Sequence, residues 1–202
     1  MRTAIPLLAA LLFVPARLTV ARPSFDALKA KATAVEDLGH FLDDYVGDCA
    51  HSPDRRACAR HAAAHRRSLK GHLFYTRLPD AMSRLLRVGP ELGGGKVRLY
   101  LTPVFGGSGY GLTRGRPHGL DRRGNPRMRL VPLTARLPDG MSRRSLDLAV
   151  QTQNVTLELI FRPGRIWHLS GHGHRAAGVA ARFAGLRIEN ARSGAVVVSR
   201  IF

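Results

Sequence analysis

The first long pattern of apolar and polar positions is helical. From Phe25 to Cys49, apolar residues recur every three or four positions, through Leu28, Val35, Leu38, Leu42 and Tyr45. Lys29, Lys31, Glu36, Asp37, Asp43, Asp44 and Asp48 fill the opposite face. This period predicts an amphipathic helix over 24–49, capped by Ser24, with Asp26 complementing the dipole of its first turn. Ser52-Pro53-Asp54 reads as the start of a second helix, running to about Lys70, where Gly71 can end it. The short connection makes a helical hairpin. Residues 71–96 read as a junction, with a short helical patch over 81–88 broken by Pro90 and by Gly93, Gly94 and Gly95.

From Lys96 the period changes to two. "VRLYLTPVF", "MRLVPL", "SLDLAVQT", "VTLELIFRP", "RIWHL", "AARFAGLRIEN" and "AVVVSRIF" alternate and are separated by turn-forming residues. Val97, Leu99 and Leu101 fall on one face, against Arg98 and Tyr100 on the other. Leu157, Leu159 and Phe161 likewise oppose Glu158 and Arg162, so one sheet face is expected to be wet. The predicted fold class is α+β. An N-terminal helical hairpin with its junction (22–95) packs on a C-terminal antiparallel β-sandwich or open barrel (96–202).

The N-terminus adds a destination. An apolar run from Ile5 to Val14 is followed by small residues, with Thr19 and Ala21 placed for cleavage after Ala21 and Ala16 as the alternative. Residues 1–21 therefore read as a secretory signal peptide. The run is shorter than the roughly 20 residues that span a bilayer, and no later segment supplies a transmembrane helix. The expected location is periplasmic or secreted. In such a compartment the only two cysteines, Cys49 and Cys58, are expected to form a disulfide. The rival reading is zinc, because Cys58, His61 and His65 share one helical face, with Cys49 and His51 nearby.

Charge narrows the partners. The formal net charge is +18, and loss of residues 1–21 removes Arg2 and Arg17 but no acid. Residues 81–202 hold 20 basic and 6 acidic groups, so the surplus sits in the strand-rich part. It favours anionic lipid, acidic polysaccharide or nucleic acid bound without sequence specificity. The candidate anion-binding residues are Arg98, Arg114, Arg116, Arg127, Arg129, Arg162 and Arg165. Arg114 and Arg116 lie in "GGSGYGLTRGRPHG", a glycine-rich loop without the lysine of a nucleotide-binding P-loop. Base stacking could draw only on Tyr100, Tyr110 and Trp167.

One stretch suggests chemistry. "WHLSGHGHR" carries His168, His172 and His174, which share a face if the segment is one continuous strand. That would suit a metal site or a metal-dependent enzyme. The interleaved Gly171 and Gly173, and the lack of a nearby carboxylate, favour a polar edge instead. No nucleophile motif, catalytic residue or cofactor motif is recognised, so the sequence favours a non-enzymatic protein, with a structural envelope protein as a further alternative. The layout of signal peptide, Cys49/Cys58 hairpin and strand-rich part with "WHLSGHGH" resembles small uncharacterised families of exported proteins from high-GC Gram-negative bacteria. That resemblance implies no active residues.

Overall fold

A single pair of strands organises the chain. In the computed structural model, which describes residues 24–49, 52–78, 82–106 and 109–202, β8 (Val155–Gly171) and β9 (His174–Asn190) form an antiparallel ladder of 17 residues each. The predicted signal peptide lies outside the described residues. Among the described residues, five helices precede or interrupt the strands: α1 (Phe25–Lys29), α2 (Leu38–Val46), α3 (Arg55–Ser68), α4 (Met82–Leu85) and α5 (Arg143–Gln151). The remaining strands are β1 (Thr33–Ala34), β2 (Phe74–Leu78), β3 (Leu86–Gly93), β4 (Lys96–Leu101), β5 (Val104–Gly106), β6 (Tyr110–Arg114), β7 (Val131–Arg136) and β10 (Val196–Ile201).

Seven strands make a mixed sheet in the order β1-β2-β8-β9-β6-β5, with β10 also paired to β9. The β1/β2 and β6/β9 pairs are parallel. A second, antiparallel sheet has the order β3-β4-β7. One core joins both sheets with α2 and α5, and Val97, Leu99, Leu101, Leu157, Leu159 and Phe161 all lie in it. The alternation read in β4 is therefore the real one.

This overturns the expected α+β layout of an N-terminal helical hairpin on a C-terminal antiparallel sandwich or barrel. The fold is mostly β, and the predicted 24–49 helix is three separate pieces. After α1 the chain turns extended, where Thr33 N–H donates to Leu73 O at 2.8 Å and Val35 N–H to Tyr75 O at 2.7 Å. The unpaired edge of β2 thus competes successfully with helix continuation. Asp37 then caps a new helix by accepting from His40 N–H at 2.9 Å. The second predicted helix exists but is capped by Asp54, not Ser52. The junction expected over 71–96 contains β2 and β3. "SLDLAVQT", read as a strand, belongs to α5: Ser142 caps it, and Leu146, Ala149 and Val150 form its buried stripe while Leu148 is 59% exposed.

Cys49 and Cys58 form the expected disulfide between the end of α2 and the start of α3. The same corner needs a glycine. Gly47 ends α2 at φ +64°, and a Cβ there would lie 2.3 Å from Ala62 Cβ on α3.

The outer face of the long ladder is not wholly wet. Glu158, in mid-strand between Leu157 and Leu159, is 4% exposed because α1 lies over it. Lys29 Nζ donates to its Oε1 at 2.6 Å, Tyr75 Oη donates to the same oxygen, and Arg187 Nη1 stands 3.6 Å from Oε2. Arg187 also pairs with Asp26 at 2.7 Å and sits over the Phe25 ring. Burial by itself would raise the Glu158 carboxyl. The Lys29 and Tyr75 hydrogen bonds, with the charges of Lys29 and Arg187, outweigh it and hold the group below its ordinary value.

Two predictions follow from these contacts. Replacing both cysteines by serine is expected to lower the unfolding free energy by about 2–3 kcal/mol in urea titrations. Glu158→Gln is expected to destabilise by about 1–3 kcal/mol at pH 7, since it removes the carboxylate partner of Lys29 and one of the partners of Arg187. Because the carboxyl is depressed, its contribution is complete above the ordinary value of about 4.3 and is lost as pH falls below it. The difference in denaturation midpoint between wild type and variant should therefore shrink from pH 7 to pH 3.

Candidate anion site

The edge of β9 that does not face β8 is shared by two strands running toward each other. Parallel to β9, β6 ends with Arg114 opposite Ala181. Antiparallel to it, β10 ends with Ile201 opposite Gly185. The two C-terminal strand ends thus converge on the middle of β9 and bring Arg114 and Arg200 together. Strand β7, at the edge of the smaller sheet, lies alongside, and Arg200 Nη1 donates to Pro132 O at 3.1 Å across the seam. On β4, Arg98 pairs in register with Thr134 of β7 and completes the group.

These residues line a cleft of about 410 Å³ together with Thr134 and Ser199, while the adjoining Val131, Leu133 and Val198 are buried in the core. No carboxylate lines it, and none of the three arginines has an acidic partner within 4.0 Å among the described residues. The Phe202 ring organises two of them: Arg114 lies 4.4 Å and Arg200 5.3 Å from its centroid. Burial, and then the charge of Arg200, make the Arg114 guanidinium easier to deprotonate than usual. The site is therefore positive and uncompensated.

Of the arginines singled out in the sequence, the cleft gathers Arg98 and Arg114. Arg116, Arg127 and Arg129 lie exposed in the segment between β6 and β7, Arg162 Nε donates to Gly71 O at 3.2 Å, and Arg165 is exposed at a bulge in β8. Arg200 escaped the sequence reading. Its signal was a basic residue in an otherwise apolar terminal strand, but nothing local reveals that β10 meets the end of β6.

The three histidines do not share a face. His172 (φ +52°) and Gly173 (φ +77°) form a two-residue turn, so the hairpin reverses inside the motif. In the ladder His168 opposes Ala177 and His174 opposes Gly171. The reversal exchanges the parity of even positions, placing His168 and His174 on opposite faces and His172 at the tip. His174 packs against Gly124. Among the described residues, no group of three or more His, Cys, Asp or Glu side chains is placed to hold a metal ion.

A second cleft, of about 790 Å³, lies between α2 and α3 and was not foreseen. It is lined by Asp43, Asp44, Asp48, His61, His65 and Tyr110. Burial, and then Asp48, push the Tyr110 hydroxyl up. The stacking role considered for Trp167 meets a buried ring. Its Nε1 donates to Thr113 Oγ1 at 3.0 Å, and a Cβ on Gly178 would lie 2.5 Å from the ring.

The profile of a family of unknown function, DUF6066, matches residues 1–199. The chain belongs to this family. No curated protein and no solved structure matches it.

The turn carries a prediction. Valine at position 172 is expected to cost about 1–2 kcal/mol in thermal or urea unfolding, whereas asparagine should be neutral or stabilising, because only the latter accepts positive φ readily.

Proposed function

We propose that the protein is an exported, non-enzymatic binding protein for an anionic component of the periplasm or the extracellular space. The observation that carries this reading is the cleft at the seam of the two sheets, where Arg98, Arg114 and Arg200 converge without an acid. The Arg114 and Arg200 guanidiniums are held together against their mutual repulsion by Phe202 and by the Arg200 bond to Pro132, and Arg98 lines the same cleft. A bound anion relieves that repulsion and gains charge-assisted hydrogen bonds. The charge of +16 that remains after loss of residues 1–21 (18 − 2) would draw such a ligand in from a distance.

Export is supported by the signal-like N-terminus and is compatible with the Cys49–Cys58 disulfide, a bond that persists in oxidising compartments. No helix among the described residues is long and apolar enough to cross a membrane.

The test is retention on a sulfated-polysaccharide resin, which presents dense anionic groups. Wild-type protein is expected to bind at low salt and to elute as ionic strength rises. Arg114→Glu and Arg200→Glu should elute at clearly lower salt than Arg116→Glu, which makes the same charge change outside the cleft. Identical elution of all three variants would refer binding to net charge and remove the cleft from the account.

A further inference from the structure

The seam cleft has features that narrow the ligand beyond "anion", and this step rests on the anion-binding reading of the same cleft. Its cations arrive on β4, β6 and β10, from both sheets, so they enter the cleft from different sides. A planar carboxylate has only two oxygens, and a single guanidinium fork engages both. A tetrahedral group with three terminal oxygens can offer one to each of the three arginines. The Thr134 and Ser199 hydroxyls line the same space and add two donors.

The charge count points the same way. With no carboxylate in the lining, a monoanion leaves the site strongly positive, whereas a group near −2 neutralises most of it. A phosphate monoester carries about −1.5 to −2 at pH 7, while a diester carries one charge and two terminal oxygens.

The stacking arrangement sets the approach. Phe202 lies over one face each of Arg114 and Arg200 and orients their N–H edges for hydrogen bonding to a ligand. The cleft volume of about 410 Å³ falls within the range of small-molecule sites. It therefore has room for an organic carrier beside the phosphate.

We propose that the seam cleft binds the terminal phosphate of a phosphomonoester, with Arg98, Arg114 and Arg200 each engaging the phosphoryl oxygens and Thr134 and Ser199 supplementing them. Such a group occurs on soluble metabolite esters and on lipid headgroups. The chemistry recognised is the same in both.

The experiment is calorimetric titration of the full, disulfide-bonded protein with glycerol 1-phosphate, dimethyl phosphate and acetate. It is accompanied by flotation with phosphatidylcholine vesicles containing either phosphatidic acid or phosphatidylglycerol. Glycerol 1-phosphate is expected to bind about tenfold or more tighter than dimethyl phosphate, the worth of one further charge-assisted hydrogen bond. Its affinity should rise as pH increases through about 6, where the second phosphate proton is lost, while that of the diester stays flat. Tighter capture on phosphatidic acid than on phosphatidylglycerol, with weak binding of the soluble ester, supports the site and assigns it a lipid source. Strong binding of the soluble ester supports it with a soluble source.

Charge reversal at Arg200 also breaks its bond to Pro132, so Arg98→Gln serves as the milder variant. It should retain the wild-type melting temperature and lose most of the monoester preference. Equal affinity for monoester, diester and acetate, with no pH step, overturns the phosphomonoester assignment while leaving anion binding standing. No binding of any anion by folded protein at low salt overturns both.

Discussion

The register of the β8–β9 ladder is set at the His172–Gly173 turn, and most of the molecule takes its position from it. A two-residue turn of this kind admits one pairing, and a slip by one residue would send every side chain to the wrong face. In the observed register Glu158 opposes Arg187, so the buried acid has a cation beside it before α1 arrives with Lys29. Trp167 opposes Gly178, the residue whose missing side chain leaves space for the indole. Farther along, Pro163 lies at a register shift, and Gly164 O accepts from Tyr45 Oη at 2.8 Å, which fixes α2 to the sheet.

The cleft is a second product of the same ladder. β9 is long enough to take two strands end to end on one edge, and their opposite directions bring their basic C-terminal ends together. Neither strand alone makes a site. Arg114 and Arg200 become neighbours through tertiary pairing, and the smaller sheet contributes Arg98 by lying along the seam. The acidic α2 sits elsewhere, lining the cleft with α3, so the molecule keeps its positive and negative concavities apart.

Local chemistry that leaves one reasonable reading was legible in the sequence. The alternation of Val97, Leu99 and Leu101, and the pairing of the only two cysteines, are decided within a few residues. Competition between local and distant partners was not legible. Residues 24–49 carry an unbroken helical period, yet the edge of β2, about forty residues onward, captures Thr33 and Ala34. In "SLDLAVQT" both periods fit, and the Ser142 cap with the buried Leu146, Ala149 and Val150 decides for helix. The histidine motif misled because parity holds only within one strand, and the turn fell inside it. For the cleft, two of its three arginines were among seven candidates, and the third, Arg200, lies on a strand whose meeting with β6 along β9 no short window encodes.

The Lys29–Glu158 pair joins positions 129 residues apart, and β2 also waits for β8. Neither N-terminal element can reach its final place until that distant strand has been made. Closing such long loops before any contact rewards them is slow. The first third of the chain can therefore stay open during synthesis without meeting a stable stopping point. The ladder's own hairpin, with partners adjacent in sequence, is the piece able to form first and serve as the template on which the earlier residues settle.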